Sequence, residues 1–263
     1  MPLEFNGLIP LLFKMDTKEE FWDYLDHISL DCVVFGFHSN QLKVLLLHMK
    51  NSGEWALPGG FVREEESMEV AANRVLKVRT GLDKIFLRQF NVFSDPERSK
   101  INPSVSDLVL SGITYPDEFW FNQRFISVGF YALVEFSQVQ PRPDALSDVC
   151  EWVNLDEIGT LMMDHGEILN KALETLRLQL TFQPIGYNLL PEKFTMSELR
   201  ILYETILGKE LDRRNFQRKI LAYDILIRLE EVRTGVAHKA PGLYKFNLKS
   251  YQKALTEGLG GRW

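Results

Sequence analysis

The chain has 263 residues, 45% of them apolar and 25% charged, with 36 acidic residues against 30 basic ones and two cysteines. That length and apolar content allow one sizeable core and a smaller second one, so two domains are expected. Two cysteines, Cys32 and Cys150, each within an apolar stretch, fit a reducing compartment. With no basic start leading into a long apolar run, the expectation is a cytoplasmic protein without a membrane partner. The formal net charge of −6 conceals a division: residues 191–263 hold 14 Lys and Arg against 9 Asp and Glu, net +5, while the remainder is net −11. A basic domain following an acidic one is the better description.

Asp16 as a cap and the apolar Phe21, Trp22 and Leu25 predict a short helix over residues 16–27. Residues 29–38 and 42–49, rich in Val and Leu, read as two strands joined by Ser39-Asn40-Gln41. Residues 68–80 form a helical pattern closed by Gly81 at the position that favours a left-handed backbone. Further strands are expected around 82–93 and 125–136, with the core run Phe130-Tyr131-Ala132-Leu133-Val134. Strands on both sides of a helix, with a hairpin before it, predict a mixed sheet. Between the later two strands lies 95–124, which carries Tyr115, Phe119, Trp120 and Phe121 and is too aromatic to expect a disordered loop. Pro141-Arg142-Pro143-Asp144 reads as a turn, and Glu151-Trp152-Val153-Asn154 leads toward a helical region within 155–180. Asp164-His165-Gly166-Glu167 pairs one histidine with two carboxylates. With no second histidine close by, a structural role is the better expectation than a metal site.

Trp55-Ala56-Leu57-Pro58-Gly59-Gly60-Phe61-Val62 leads into Gly60, Glu66, Arg74, Leu76, Gly81 and Leu82 at the spacing G-x5-E-x7-R-E-U-x-E-E-x-G-U. This resembles a Nudix box. The three glutamates after the arginine are here Val75, Val78 and Arg79. Carboxylates at one helical position and three and four further on share a face and jointly hold Mg²⁺ or Mn²⁺ against a diphosphate. Two valines and a cation cannot, and Arg79 places positive charge where the metal should sit. No metal, no cofactor and no catalytic residue is therefore expected. Arg63 and Glu66, flanking the box loop, and Arg88, on the following strand, are the candidate ligand contacts, since an arginine can hold a phosphate or sugar hydroxyl without metal. Ordinary ion pairs are the competing role for them.

Prolines at 184 and 191 bracket a linker. Phe194-Thr195-Met196-Ser197-Glu198 contains a capping box, so Thr195 should start a helix that buries Leu199, Leu202, Tyr203 and Ile206 and ends at Gly208. Asp212 can cap a second helix over 213–223, with Phe216 and Ile220 inward and Arg213, Arg214, Asn215, Arg218 and Lys219 toward solvent. Segments 225–230 and 242–246 read as a hairpin around a basic loop containing His238 and Lys239. Helix, basic helix and wing in that order point to double-stranded DNA.

Phe194-Thr195, Leu202-Tyr203-Glu204, Ile206-Leu207-Gly208-Lys209, the run from Leu211 to Lys219, and Leu243-Tyr244-Lys245-Phe246 together resemble the winged helix of the Nudix-related transcriptional regulators called NrtR. The resemblance covers most of the chain apart from 95–124, where the family has a shorter turn. It implies an α+β architecture: a Nudix-like mixed-sheet α/β/α sandwich over residues 1–180, followed by a winged helix-turn-helix over 181–263. It also implies a ligand-responsive regulator, in the first instance a repressor, whose sensor domain takes a sugar or an ADP-ribose-like effector and which meets operator DNA as a homodimer. The alternative is a Mg²⁺-dependent Nudix hydrolase acting on a nucleoside diphosphate derivative, with Glu64, Glu65 and Glu66 at the box entrance and Asp95 or Glu97 completing its site.

Overall fold

The computed structural model describes residues 24–50, 52–83, 85–98, 123–144, 146–233 and 240–259. The chain divides into two compact units. One gathers the described residues up to 35 with 44–132 and 138–172, and the other 36–43, 133–137 and 173–263.

The larger sheet has seven strands: β1 (Tyr24–His38), β2 (Gln41–Met49), β3 (Trp55–Ala56), β4 (Gly59–Arg63), β5 (Phe86–Phe93), β6 (Ile126–Val134) and β7 (Ser147–Asn154). The order is β3-β2-β1-β6-β5, with β4 on β1 and β7 on β2. The turn between β1 and β2 puts Ser39 and Asn40 at φ of 51° and 62°. Positive φ at both central residues is what a two-residue hairpin needs to match strand twist. In β1, residues 30–36 are buried without alternation, as expected of a central strand covered on both faces. β5 packs closely on β6, because Gly129 leaves room for the rings of Phe90 and Phe93; a Cβ there would lie 2.7–2.9 Å from ring carbons.

Helix α1 (Met68–Thr80) has the predicted bounds. Ser67 accepts from the Val70 N–H at 3.3 Å, and Ala71, Ala72, Val75 and Leu76 are buried. Gly81 ends the helix at φ 75°, its N–H donating to the Lys77 carbonyl. Helix α2 (His165–Gln179) follows a single 3₁₀ turn at Leu155–Glu157.

The second sheet has the order β8-β10-β9, with β8 (Phe194–Thr195), β9 (Leu226–Val232) and β10 (Gly242–Phe246). The same unit holds α3 (Met196–Leu207), which lies against β8 and β10, α4 (Arg213–Ala222), which lies against α3, and α5 (Leu248–Glu257), whose Tyr251 meets Phe246. Phe246 is the centre of the small core, its ring 4.8 Å from that of Phe194, 5.0 Å from Tyr251 and 6.0 Å from Tyr187. The predicted capping box is present: Thr195 Oγ1 accepts from the Glu198 N–H at 3.2 Å and Glu198 Oε2 from the Thr195 N–H at 2.7 Å. The mixed sandwich followed by a winged helix is thus the observed fold.

Several elements differ from expectation. Residues 24–27, expected to be helical, begin β1, where Tyr24 pairs with Arg63 before a bulge at which His27 takes φ 63°. The rest of the expected helix, 16–23, lies outside the described residues. An available partner strand outweighs a short helical periodicity. Residues 151–154, to which sequence reasoning assigned no element of their own, are the end of β7 beside β2, and they lead as expected into the 3₁₀ turn and α2. Sequence reasoning found neither β8, only two residues long, nor α5, which Asn247 caps by accepting from the Ser250 N–H at 3.3 Å. Of the segment 95–124, residues 99–122 lie outside the described residues.

Replacing Thr195 by Ala removes one side of the capping box and should cost about 1 kcal/mol. Thermal unfolding followed by circular dichroism should show a lower midpoint, and Thr195→Ser should restore it.

Candidate functional site

Strand β4 passes directly into the box loop and α1, and one guanidinium ties the three together. Arg74 Nε donates to Glu66 Oε2 at 3.0 Å, and one terminal amine donates to Glu66 Oε1 and, at 2.8 Å, to the Phe61 carbonyl. The Arg63 N–H also donates to Glu66 Oε1, at 2.9 Å. Burial on its own would raise the Glu66 carboxyl. The Arg74 hydrogen bonds, the Arg63 N–H and the charges of both arginines outweigh it and hold the group below the ordinary carboxylate range. Glu66 is therefore consumed within the fold.

The positions of the missing glutamates have taken three different roles. Val75 is buried against Gly60, where a Cβ would lie 2.8 Å from a Val75 methyl. Val78 is 54% exposed. Arg79 does not stand in the cleft as a repelling charge, as expected from sequence. It is buried and donates to Asp144 in the turn before β7, while the carbonyls of Arg79 and Thr80 accept from the N–H groups of Arg142 and Gln140, each at 3.0 Å. A partner from a distant turn explains the reversal, because a paired guanidinium is cheaper to bury than a free one. Glu64 and Glu65 are exposed. Asp95 caps its own turn, accepting from the Glu97 N–H at 2.8 Å. Two valines, a paired arginine and a consumed glutamate do not fit a divalent cation, which requires several free oxygen donors on one side.

The opposite face of β4 carries Phe61 and Arg63, since alternate strand residues share a face. The Phe61 ring lies 6.2 Å from that of Tyr24 and 5.5 Å from that of Phe125. Arg63 and Glu66 are brought together here. Arg88 is half-buried on β5, the last strand in the sheet order.

A second polar group, unforeseen apart from the structural role expected of Asp164 and His165, lies in the same unit. Arg98 is bidentate to Asp164, at 2.7 and 3.0 Å, and reaches Asp31 Oδ2 at 3.5 Å and the Phe125 carbonyl at 3.3 Å. Ser127 Oγ donates to Asp31 Oδ2 at 2.5 Å. His165 Nδ1 accepts from the Leu57 N–H at 2.9 Å, which leaves the ring proton on Nε2, 3.5 Å from Asp31 Oδ1. Gly59 is required beside it, since a Cβ would lie 2.7 Å from Asp31 Oδ1. Nothing in the sequence near Arg98 signals this, its carboxylate partners being 66 and 67 residues away.

In the second unit, Arg213, Arg214, Asn215, Arg218 and Lys219 are all exposed on α4, and Phe216 and Ile220 are buried. Asp212 Oδ1 accepts from the Asn215 N–H at 2.8 Å, and Asn215 Oδ1 accepts from Arg218 at 3.1 Å. His238 and Lys239 lie outside the described residues. The base of the wing is secured by the Arg233 N–H donating to the Pro241 carbonyl at 3.0 Å and by an Arg233–Glu198 ion pair.

Two family models match the chain: the NUDIX domain over residues 26–174 and the NrtR DNA-binding winged helix domain over 186–246. The chain belongs to the NrtR-like family. It is 28% identical over 232 residues to the ADPR responsive transcriptional repressor NtrR of Acinetobacter baylyi, covering 85% of this chain and 83% of that one. It resembles the crystal structure of Shewanella oneidensis NrtR complexed with a 27mer DNA, at 26% identity and a TM-score of 0.68 over 86% of this chain and 95% of that one. A MutT/nudix family protein of Enterococcus faecalis shares the fold at 24% identity and a TM-score of 0.59, covering 85% of this chain and 88% of that one. Among the described residues no helix is long and apolar enough to cross a membrane.

A carboxyl held low in the folded state adds stability above its unfolded value and loses it as pH falls through the folded one. Glu66 should thus contribute to stability at neutral pH and cease to do so in acid. Midpoints measured from neutral to acidic pH should fall less steeply for Glu66→Gln, which starts from a lower midpoint at neutrality.

Proposed function

We propose that the chain is a ligand-responsive transcriptional repressor in which the Nudix domain senses an ADP-ribose-like metabolite without hydrolysing it and the winged helix binds operator DNA. The observation that carries this reading is the pairing of a box whose cation ligands are absent with a capped helix presenting Arg213, Arg214, Asn215, Arg218 and Lys219 to solvent. The character of the Acinetobacter baylyi relative and the DNA complex of the Shewanella oneidensis one support it. Phe61 and Tyr24 supply ring faces for a nucleobase or sugar, and Arg63 and Arg88 supply donors for phosphate. Glu66 serves here as a positioning residue for the box loop. A homodimer belongs to the proposal, because one recognition helix offers too little surface for selective binding and two address half-sites about one turn apart. Phosphate contacts would position α4 and a few Arg or Asn side chains would read bases.

A duplex enriched by the full-length protein from a random pool, labelled and followed by fluorescence anisotropy, tests the reading. ADP-ribose should release the duplex, with arabinose as a second probe; failure to enrich any duplex would refute DNA binding. Pure protein with Mg²⁺ and ADP-ribose should produce no multiple-turnover hydrolysis, and turnover abolished by Glu66→Gln would overturn the sensor assignment. Light scattering should give a dimer on the duplex. Alanine at both Arg214 and Arg218 should weaken binding. The salt slope should fall by about one for each arginine that neutralises a phosphate, and cognate affinity by about 1–3 kcal/mol for each one that reads a base.

A further inference from the structure

The recognition helix of a helix-turn-helix must be aimed as well as exposed, and the buried side of α4 is insufficient for aiming. Its buried side chains are Phe216 and Ile220. Residues four apart lie along a single helical stripe. Two anchors on one line leave rotation about that line unrestrained, so a third anchor off the line is needed.

The turn before α4 supplies one. Glu204, near the end of α3, acts through both its backbone and its side chain. Its carbonyl accepts from the N–H groups of Gly208, at φ 65°, and Lys209, the latter at 3.3 Å. Its Oε1 accepts from the Leu211 N–H at 2.7 Å. Arg200, one turn earlier, pairs with Glu204 Oε1 and reaches the Leu211 carbonyl at 3.4 Å. Both polar groups of Leu211 are thus held by side chains of α3, and the next residue, Asp212, caps α4. The two side chains are 25% and 16% exposed, so these hydrogen bonds are partly shielded from water. The last turn of α3 is itself braced, Arg177 Nε donating to the Ile206 carbonyl at 2.8 Å.

Resting on the DNA-binding reading above, we propose that Glu204, oriented by Arg200, is a positioning residue that sets the aim of α4 by holding the Leu211 N–H, and so determines discrimination between cognate and unrelated duplex. The essential feature is an acceptor at 204. The charge pair alone does not suffice.

Three variants of the full chain separate these roles. Glu204→Ala should lower the ratio of affinities for the enriched duplex over a scrambled one by about tenfold or more, since misaimed side chains no longer meet base edges while phosphate contacts remain. Its salt slope on the scrambled duplex should be unchanged. Glu204→Gln keeps an acceptor and should retain most of the discrimination. The exchanged pair Arg200→Glu with Glu204→Arg keeps opposite charges four residues apart but leaves the Leu211 N–H without its acceptor, and should discriminate as poorly as Glu204→Ala. Amide hydrogen exchange without DNA gives an independent readout: Leu211 should be slow in the unaltered protein and in Glu204→Gln, and fast in the other two. Unchanged Leu211 exchange in Glu204→Ala, or full discrimination by the exchanged pair, would overturn the proposal. Loss of all preference by the unaltered protein, with Leu211 exchange still responding as stated, would instead overturn the regulator reading.

Discussion

Arg74 places two hydrogen bonds on Glu66 and one on the Phe61 carbonyl, and without it strand, loop and helix of the box would have no common point. The loop turns back on itself around a carboxylate, and a carboxylate with a 9% exposed side chain needs a compensating cation. That cation comes from the chain itself. The frame consequently holds its shape from internal partners, and the positions at which the box pattern carries glutamate serve other roles here. Everything placed by that frame, including the ring and arginine face of β4 on the far side from α1, inherits its order from this pair.

The uneven charge has a corresponding logic. A basic segment of net +5 in a chain of net −6 concentrates attraction for phosphates near α4, while the acidic remainder is repelled. Long-range attraction is thereby confined to one part of the molecule.

The legible parts of the fold were those with local causes. Helix α1, its closing Gly81, the capping box at Thr195, the stop at Gly208 and the cap at Asp212 each depend on residues within one turn, and all are found where sequence placed them. What escaped depends on partners distant in the chain. The fate of Arg79 was set by Asp144, and Arg98 by Asp31 and Asp164. Residues 24–27 became strand because β4 lies beside them, and β8 exists through two residues opposite β10. In the candidate sites the basic face of α4 was readable from periodicity. The engagement of Glu66 was not, because a box glutamate looks the same in sequence whether its oxygens face a metal or an arginine.

The packing at Val75 and Arg79 leaves no room for the carboxylates of the full box pattern. A carboxylate at 75 would enter space closed by the backbone of Gly60, and one at 79 would be buried beside Asp144, two like charges sharing a pocket built for opposite ones. A carboxylate at either buried position therefore destabilises the fold by several kcal/mol, on the order of the 3–5 kcal/mol seen when a buried pair loses a partner. Position 78, exposed to solvent, could take a carboxylate without that cost. The packing that orders α1 and a complete set of box carboxylates are thus mutually exclusive.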